Sequence, residues 1–241
     1  PTLHIIFIFL RRLSQMRNRL EVFMSKLKHG FFTAKNIAVL GVLTAFVVLL
    51  QAGLGAVKVG TTSFSLVLIP VVLCSCILGP IAGGFLGFVF SLIVFLYGIS
   101  GGDFFTYVML NASPFATILI IFSKGILAGV VPGVLFNAIK PKNEKIAIVV
   151  AALSAPVVNT AIFVLLTLAF GNLYTSAFIA QGFIGDAKAL TYFLFIGCAG
   201  VNFLVEFCVN LIATPVFFTV IKTIGKKTFN KTNNTSGDDN A

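Results

Sequence analysis

The hydrophobic positions of this chain fall in long continuous runs separated by short polar or glycine-bearing breaks. Six runs stand out: about 33–57, 64–78, 81–97, 114–139, 146–170 and 191–221. Alternation of apolar and polar residues is absent within them, so spanning helices are favoured over a β-barrel. Their length, not their periodicity, separates helix from strand. Segment two is short and is expected to be tilted or partly re-entrant. Gly79-Pro80 reads as a tight turn between segments two and three. The connections at 53–63, 98–113 and 171–190 read as loops, and Lys140–Lys145 as a short charged turn.

Two features break the apolar pattern. In segment one Ala34, Ala38, Gly41, Ala45, Ala52 and Ala56 fall on one helical face. A smooth face of this kind admits close approach by another helix in lipid, from the same bundle or from a separate subunit. Segments four, five and six carry Lys124, Asn159 and Glu206. These lie 16, 14 and 16 residues from Lys140, Lys145 and Lys222. At about 1.5 Å per residue they share one level, about 21–24 Å from one membrane face. An ionisable residue at that depth is a functional-site hypothesis.

Composition sharpens this picture. Of 241 residues 58% are hydrophobic and 10% charged, against about 25% charged in soluble domains, and the mean hydropathy is +1.06. The chain is expected to be an all-α integral membrane protein with six transmembrane helices. The formal charge of +10 follows from basic helix flanks and calls for no nucleic-acid partner. Of 17 Lys and Arg, 14 lie before segment one or in its first turn (Lys35), in the four–five turn or after segment six. Lys58 and Lys188 are in other loops, and Lys124 is in a segment. Both termini are therefore expected to be cytoplasmic, with the long loops facing out as a binding mouth.

The expected organisation is a basic segment 1–30, a membrane domain 31–224 and a disordered polar tail 225–241. Met24-Ser-Lys-Leu-Lys reads like a natural start and Met16 is another candidate. Some or all of residues 1–23 are then an upstream extension or an artefact of expression. The alternative is a basic amphipathic helix at the inner membrane surface.

Catalysis finds little support. His4 and His29 are the only histidines and lie outside the six segments. No phosphate-binding GxxxxGK[ST] loop exists, and Glu206 is the only acid within a segment. Catalytic residues, cofactor and metal site are all expected to be none. Cys74, Cys76, Cys198 and Cys208 lie in apolar runs without ligand spacing and read as structural thiols. Two readings of the polar residues remain. Lys124 and Glu206 form an ion pair that locks segments four and six, or one or both face a cavity and bind a polar ligand. Lys124 would suit a carboxylate, and Asn159 offers donor and acceptor. Asn202 lies one turn further out than Glu206, and Asn111 in the aromatic outer loop. Either is a further ligand candidate or a capping or turn residue. Lys124 and Asn159 are favoured as ligand contacts, Glu206 as the partner of Lys124.

Several phrases carry a family likeness: Ala34-Lys-Asn-Ile-Ala-Val-Leu-Gly-Val-Leu-Thr-Ala45, Val59-Gly-Thr-Thr-Ser-Phe-Ser-Leu-Val-Leu-Ile-Pro70, Leu78-Gly-Pro-Ile-Ala-Gly-Gly84, Ser113-Pro-Phe with Ser123-Lys124-Gly and Ala128-Gly129, and Ala155-Pro156-Val-Val-Asn159-Thr. Over about residues 33–224 the chain resembles the substrate-binding S components of energy-coupling factor (ECF) vitamin transporters of prokaryotes. The resemblance implies a subunit of the prokaryotic cell membrane that binds one vitamin with high affinity. It works with a transmembrane scaffold subunit and two ATPases, which hydrolyse the ATP, so this chain is not itself an enzyme. It further implies that Ala34, Ala38, Gly41 and Ala45 dock on the scaffold, and that the S component topples to release its cargo inside. The Pro156-Val-Val-Asn159-Thr phrase is most like the pantothenate branch; folate, riboflavin and hydroxymethylpyrimidine are alternative cargoes. A membrane assembly subunit without ligand is the competing class. A stand-alone carrier is less favoured, because no internal repeat is evident.

Overall fold

The computed structural model describes residues 34–54, 58–59, 62–63 and 66–235. The expectations for residues 1–33 and 236–241 lie outside the described residues. The elements are α1 (Ala34–Leu54), a two-residue antiparallel pair β1 (Lys58–Val59) and β2 (Thr62–Ser63), α2 (Leu68–Leu78), α3 (Pro80–Ile99), α4 (Phe104–Ala112), α5 (Pro114–Ile139), α6 (Glu144–Ala169), α7 (Gly171–Ala180), α8 (Ala189–Tyr192), a π-helix (Phe193–Gly200) and α9 (Val201–Thr235). Packing divides the chain after Val42, within α1, and the packing below is that of residues 43–235.

Among the described residues five helical stretches are long and apolar enough to cross a membrane: 36–53, Pro80–Ile99, Pro114–Ile139, Glu144–Ala169 and 189–223. The expected sixth, segment two, is different. Its helix α2 has 11 residues and spans about 16 Å, short of the roughly 30 Å hydrocarbon core. It is enclosed instead: Leu68 and Pro70 to Cys76 are all buried, among α3, α5, α6 and α9. Gly79 has φ +101, a conformation glycine adopts freely. It turns the chain from α2 into Pro80, the first residue of α3.

Two of the expected loops carry helices of their own. Residues 98–113 hold the nine-residue α4, and 171–190 holds the ten-residue α7. The C-terminal helix continues to Thr235, ten residues past Gly225, where the disordered tail was expected. Gly225 alone, with no proline near it, is a weak stop signal.

Small residues set the closest helix contact. A Cβ on Gly83 would collide with the Gly129 carbonyl, and one on Gly87 with the Gly125 carbonyl. The spacings Gly83–Gly87 and Gly125–Gly129–Gly133 thus bring α3 and α5 backbone to backbone. Ser91 Oγ donates to Ile121 O at 2.9 Å and Ser75 Oγ to Gly129 O at 2.6 Å. These bonds tie α3 and α2 to the same face of α5. At the opposite end of α5 the turn to α6 is capped by Asn143, whose Oδ1 accepts from Lys145 N and Ile146 N.

The buried apolar residues form two clusters. One, near the 140–145 turn, gathers Leu68, Val72, Phe136, Ala147–Ala155 residues and Phe217. The other gathers Phe105, Met109, Ile120, Tyr174, Phe178 and Leu194. Along α5, α6 and α9 the polar residues of the pattern come between them.

Candidate binding cavity

A cavity opens between the two clusters, lined from α1, α3, α4, α5, α6, the π-helix and α9. Its polar lining includes Gln51, Asp103, Thr106, Thr117, Lys124, Asn159, Thr160, Asn202 and Glu206. About 80 Å³ is open to water-sized spheres, and one water needs about 10–15 Å³ on that scale. The space accommodates several waters, or a small polar molecule that displaces them.

Lys124, Asn159, Asn202 and Glu206, each expected from sequence, meet in this one cavity. Glu206 is 2% exposed and Asn159 4%. The carboxylate accepts from Asn159 Nδ2 at 3.3 Å on Oε2 and from Asn202 Nδ2 at 3.2 Å on Oε1. One turn on, Asn210 Nδ2 donates to the Glu206 backbone carbonyl at 2.8 Å. A carboxylate has no donor to offer, so both amides must point their NH₂ groups at it. Their oxygens then face away, and Asn159 Oδ1 is buried without a hydrogen-bond partner. An unpaired buried acceptor costs about 1–3 kcal/mol, which a donor entering the cavity recovers.

The ion pair expected between Lys124 and Glu206 is not formed. Among the described residues no acidic oxygen comes within 4.0 Å of the Lys124 ammonium. Each Glu206 oxygen is held instead by an amide, Asn159 on α6 and Asn202 on α9. Lys124, partly buried, instead places its Nζ 5.3 Å from the centroid of Phe163, within cation–π range. Its backbone is fixed by Gly125, next in the chain, which sits against Gly87 and Ser91 of α3.

Phe163 belongs to an aromatic wall. Phe105 lies 6.2 Å from Phe163, 5.4 Å from Phe178 and 6.1 Å from Phe193, centroid to centroid. Tyr174 stacks on Phe178 at 5.8 Å, and its hydroxyl meets Thr117 Oγ1 at 3.0 Å. Thr117 donates its single proton to Met109 O or Ser113 O, at 2.8 and 2.7 Å. The Tyr174 hydroxyl is therefore the donor of that pair. Burial raises the Tyr174 pKa above its usual 10.0, and the bond to Thr117 opposes the shift in part. This wall joins α4 and α7, the two helices inside the long connections, to α5.

Asn111 is the sequence candidate that the cavity does not include. It lies on α4, and its Nδ2 donates to Tyr107 O at 2.8 Å, one turn back on its own helix. Asp103, Gln51 and the Phe105–Phe163 pair were not singled out from sequence. Asp103 stands among glycines in a connection, where polar residues are ordinary, so no local signal marked it. Ala34, Ala38, Gly41 and Ala45 are exposed along α1, and no atom of the described residues lies within 4 Å of a Cβ built on Gly41. Cys74, Cys76 and Cys198 are buried and Cys208 is exposed.

A family model described as ECF transporter, substrate-specific component, matches residues 35–218. That span contains every residue of the cavity lining. No curated protein matches the chain at significant similarity.

Proposed function

Because the chain belongs to the ECF transporter substrate-specific component family, we propose that its cavity is the high-affinity site for one water-soluble vitamin, with pantothenate the leading cargo. As a family member it is a multi-pass membrane subunit with a substrate-binding role, and it assembles with ECF scaffold and ATPase modules. In the proposed arrangement both termini are cytoplasmic in a prokaryotic cell membrane and the cavity faces outward. The exposed row Ala34, Ala38, Gly41 and Ala45 meets the scaffold, and two partner ATPases supply the energy.

The observation that carries the cargo assignment is the pairing deficit in the cavity. Lys124 brings an ammonium with no hydrogen bond or ion pair among the described residues. Asn159 Oδ1 brings an acceptor with no donor. Pantothenate is complementary, with a carboxylate for Lys124 and hydroxyl and amide N–H donors for the acceptor. Asn202 and Glu206 hold Asn159 in place rather than contacting the carboxylate.

One observation favours a second cargo. The lining holds two carboxylates, Asp103 and Glu206, against one ammonium, together with the Phe105 and Phe163 rings. That balance suits an uncharged aromatic donor such as hydroxymethylpyrimidine. The test is a thermal-shift screen of purified protein against the water-soluble vitamins without ATP, repeated with Lys124→Met. The proposal expects one large shift, by pantothenate, that is lost in Lys124→Met. A shift by no vitamin refutes the binding role, and a shift by hydroxymethylpyrimidine that survives Lys124→Met moves the assignment to the second cargo.

A further inference from the structure

Resting on the substrate role proposed above, we infer that Asp103 selects the cargo by demanding a hydrogen-bond donor from the bound molecule. Asp103 precedes α4 in extended backbone, φ −109 and ψ 96, the position from which an aspartate ordinarily caps a helix. Its side chain makes no capping bond. One oxygen, Oδ2, accepts from Thr106 Oγ1 at 2.5 Å. The other, Oδ1, is buried and has no partner, while the residue lines the cavity.

The backbone around it is fixed. Asp103 N donates to Tyr97 O at 3.2 Å, and Tyr107 N donates to Asp103 O at 2.9 Å. Gly101, at φ +76, makes the turn that brings the residue there. One carboxylate oxygen thus stays with the first turn of α4 through Thr106, and the other is left as an acceptor in the cavity wall. Glu206 is the contrasting case, with an amide donor on each oxygen. Lys124 does not serve as the missing donor, since neither carboxylate comes within 4.0 Å of it. A carboxylate oxygen only accepts, so Oδ1 is satisfied by a hydroxyl or amino group and repels a second acid. The cargo then offers an acceptor to Lys124 and a donor to Asp103. Because Asp103 stands on the α3–α4 connection, the same bond ties α4 to the bound molecule.

The test titrates wild-type protein, Asp103→Ala and Asp103→Asn with pantothenate, with hydroxymethylpyrimidine, and with analogues that each lack one donor: the two deoxy forms of pantothenate and the des-amino pyrimidine. The parent vitamin that wild type binds is expected to lose about 10- to 100-fold in Asp103→Ala. One donor-deleted analogue is expected to bind wild type and Asp103→Ala equally. Asp103→Asn keeps a carbonyl acceptor and is expected to narrow the gap between parent and analogue by about 3- to 10-fold. That variant alone decides the matter if Asp103→Ala does not fold. Equal affinity of the parent for all three proteins overturns the inference. So does an equal loss for the parent and every analogue, which marks a purely structural role. Wild type that binds neither vitamin refutes the two cargo assignments and this inference with them, a failure seen without any substitution.

Discussion

Gly87→Ala is expected to destabilise the protein more than its single added methyl suggests. The new Cβ would collide with the Gly125 carbonyl and crowd the start of Ile126. Both obstacles are backbone, so no side chain can rotate away, and α3 must shift against α5. Overpacking of this kind costs about 1–3 kcal/mol, and the absence of a yielding side chain places the cost in the upper part of that range. Replacing glycine by alanine within a helix returns up to about 1 kcal/mol, leaving a net loss of about 1–2 kcal/mol. For a chain of this length that lowers Tm by about 2–8 °C. The cysteines supply the assay. In a Cys208→Ser background the exposed thiol is gone, and Cys74, Cys76 and Cys198 are buried. A thiol-reactive fluorogenic dye then reports unfolding in detergent directly. Lys124 adjoins Gly125, so vitamin affinity is expected to fall in parallel. A Tm within 1 °C of the parent would refute the backbone-contact argument.

Further predictions concern the proposed docking face, the buried tyrosine and the amide clamp. Gly41→Leu is expected to leave Tm and vitamin binding unchanged, since nothing lies within 4 Å of that position, while reducing co-purification with the scaffold and ATPases at least tenfold; undiminished co-purification removes Gly41 from the interface. Tyr174 has its pKa raised by burial above the usual 10.0, so its contribution to stability is present in full below about pH 10 and is lost as pH rises through the higher folded-state value. Tyr174→Phe is expected to cost about 0.5–1.5 kcal/mol at neutral pH and to flatten the fall in Tm above pH 10, both read by thermal unfolding across pH. Asn159→Ala removes a donor from a buried carboxylate and is expected to cost about 1.5–3 kcal/mol of stability, with loss of vitamin binding; a variant that keeps wild-type affinity excludes Asn159 as a ligand contact.

Much of the fold was legible because lipid-facing helices must be apolar along their whole length. Segments three to five correspond to α3, α5 and α6 within a few residues, and segment six to the apolar stretch 189–223 of α8 to α9. Segment two was misleading because apolarity reports burial and not the partner: most of α2, Leu68 and Pro70 to Cys76, is buried by protein. Helices α4 and α7 were read as loops because they are short and flanked by glycine. What makes them helical is the aromatic wall, and that exists only when distant residues such as Phe105, Phe163 and Phe178 meet.

The site divides along the same physical line. Lys124, Asn159 and Glu206 declared themselves because a polar residue is costly inside an apolar run. Their partners did not, because spacing along a chain does not reveal which side chain faces which. The Lys124–Glu206 pair was a reasonable inference from equal depth, and it yielded to two amides at closer range. Asp103 stayed invisible for the opposite reason: it lies where polarity is cheap, and only its unpaired buried oxygen distinguishes it.

The π-helix from Phe193 to Gly200 sets the rotational phase of everything after it. Its wide turns absorb residues that a narrower coil would spend on rotation, and Asn202 and Glu206 begin immediately beyond. In an α-helix each residue turns the chain by about 100°. A one-residue change in this stretch would therefore swing the amide clamp away from Asn159 while leaving the composition and hydropathy of the span almost untouched. The identity of the cavity is thus held partly by the count of residues between Phe193 and Asn202, a property on which the chemistry of the individual side chains is silent.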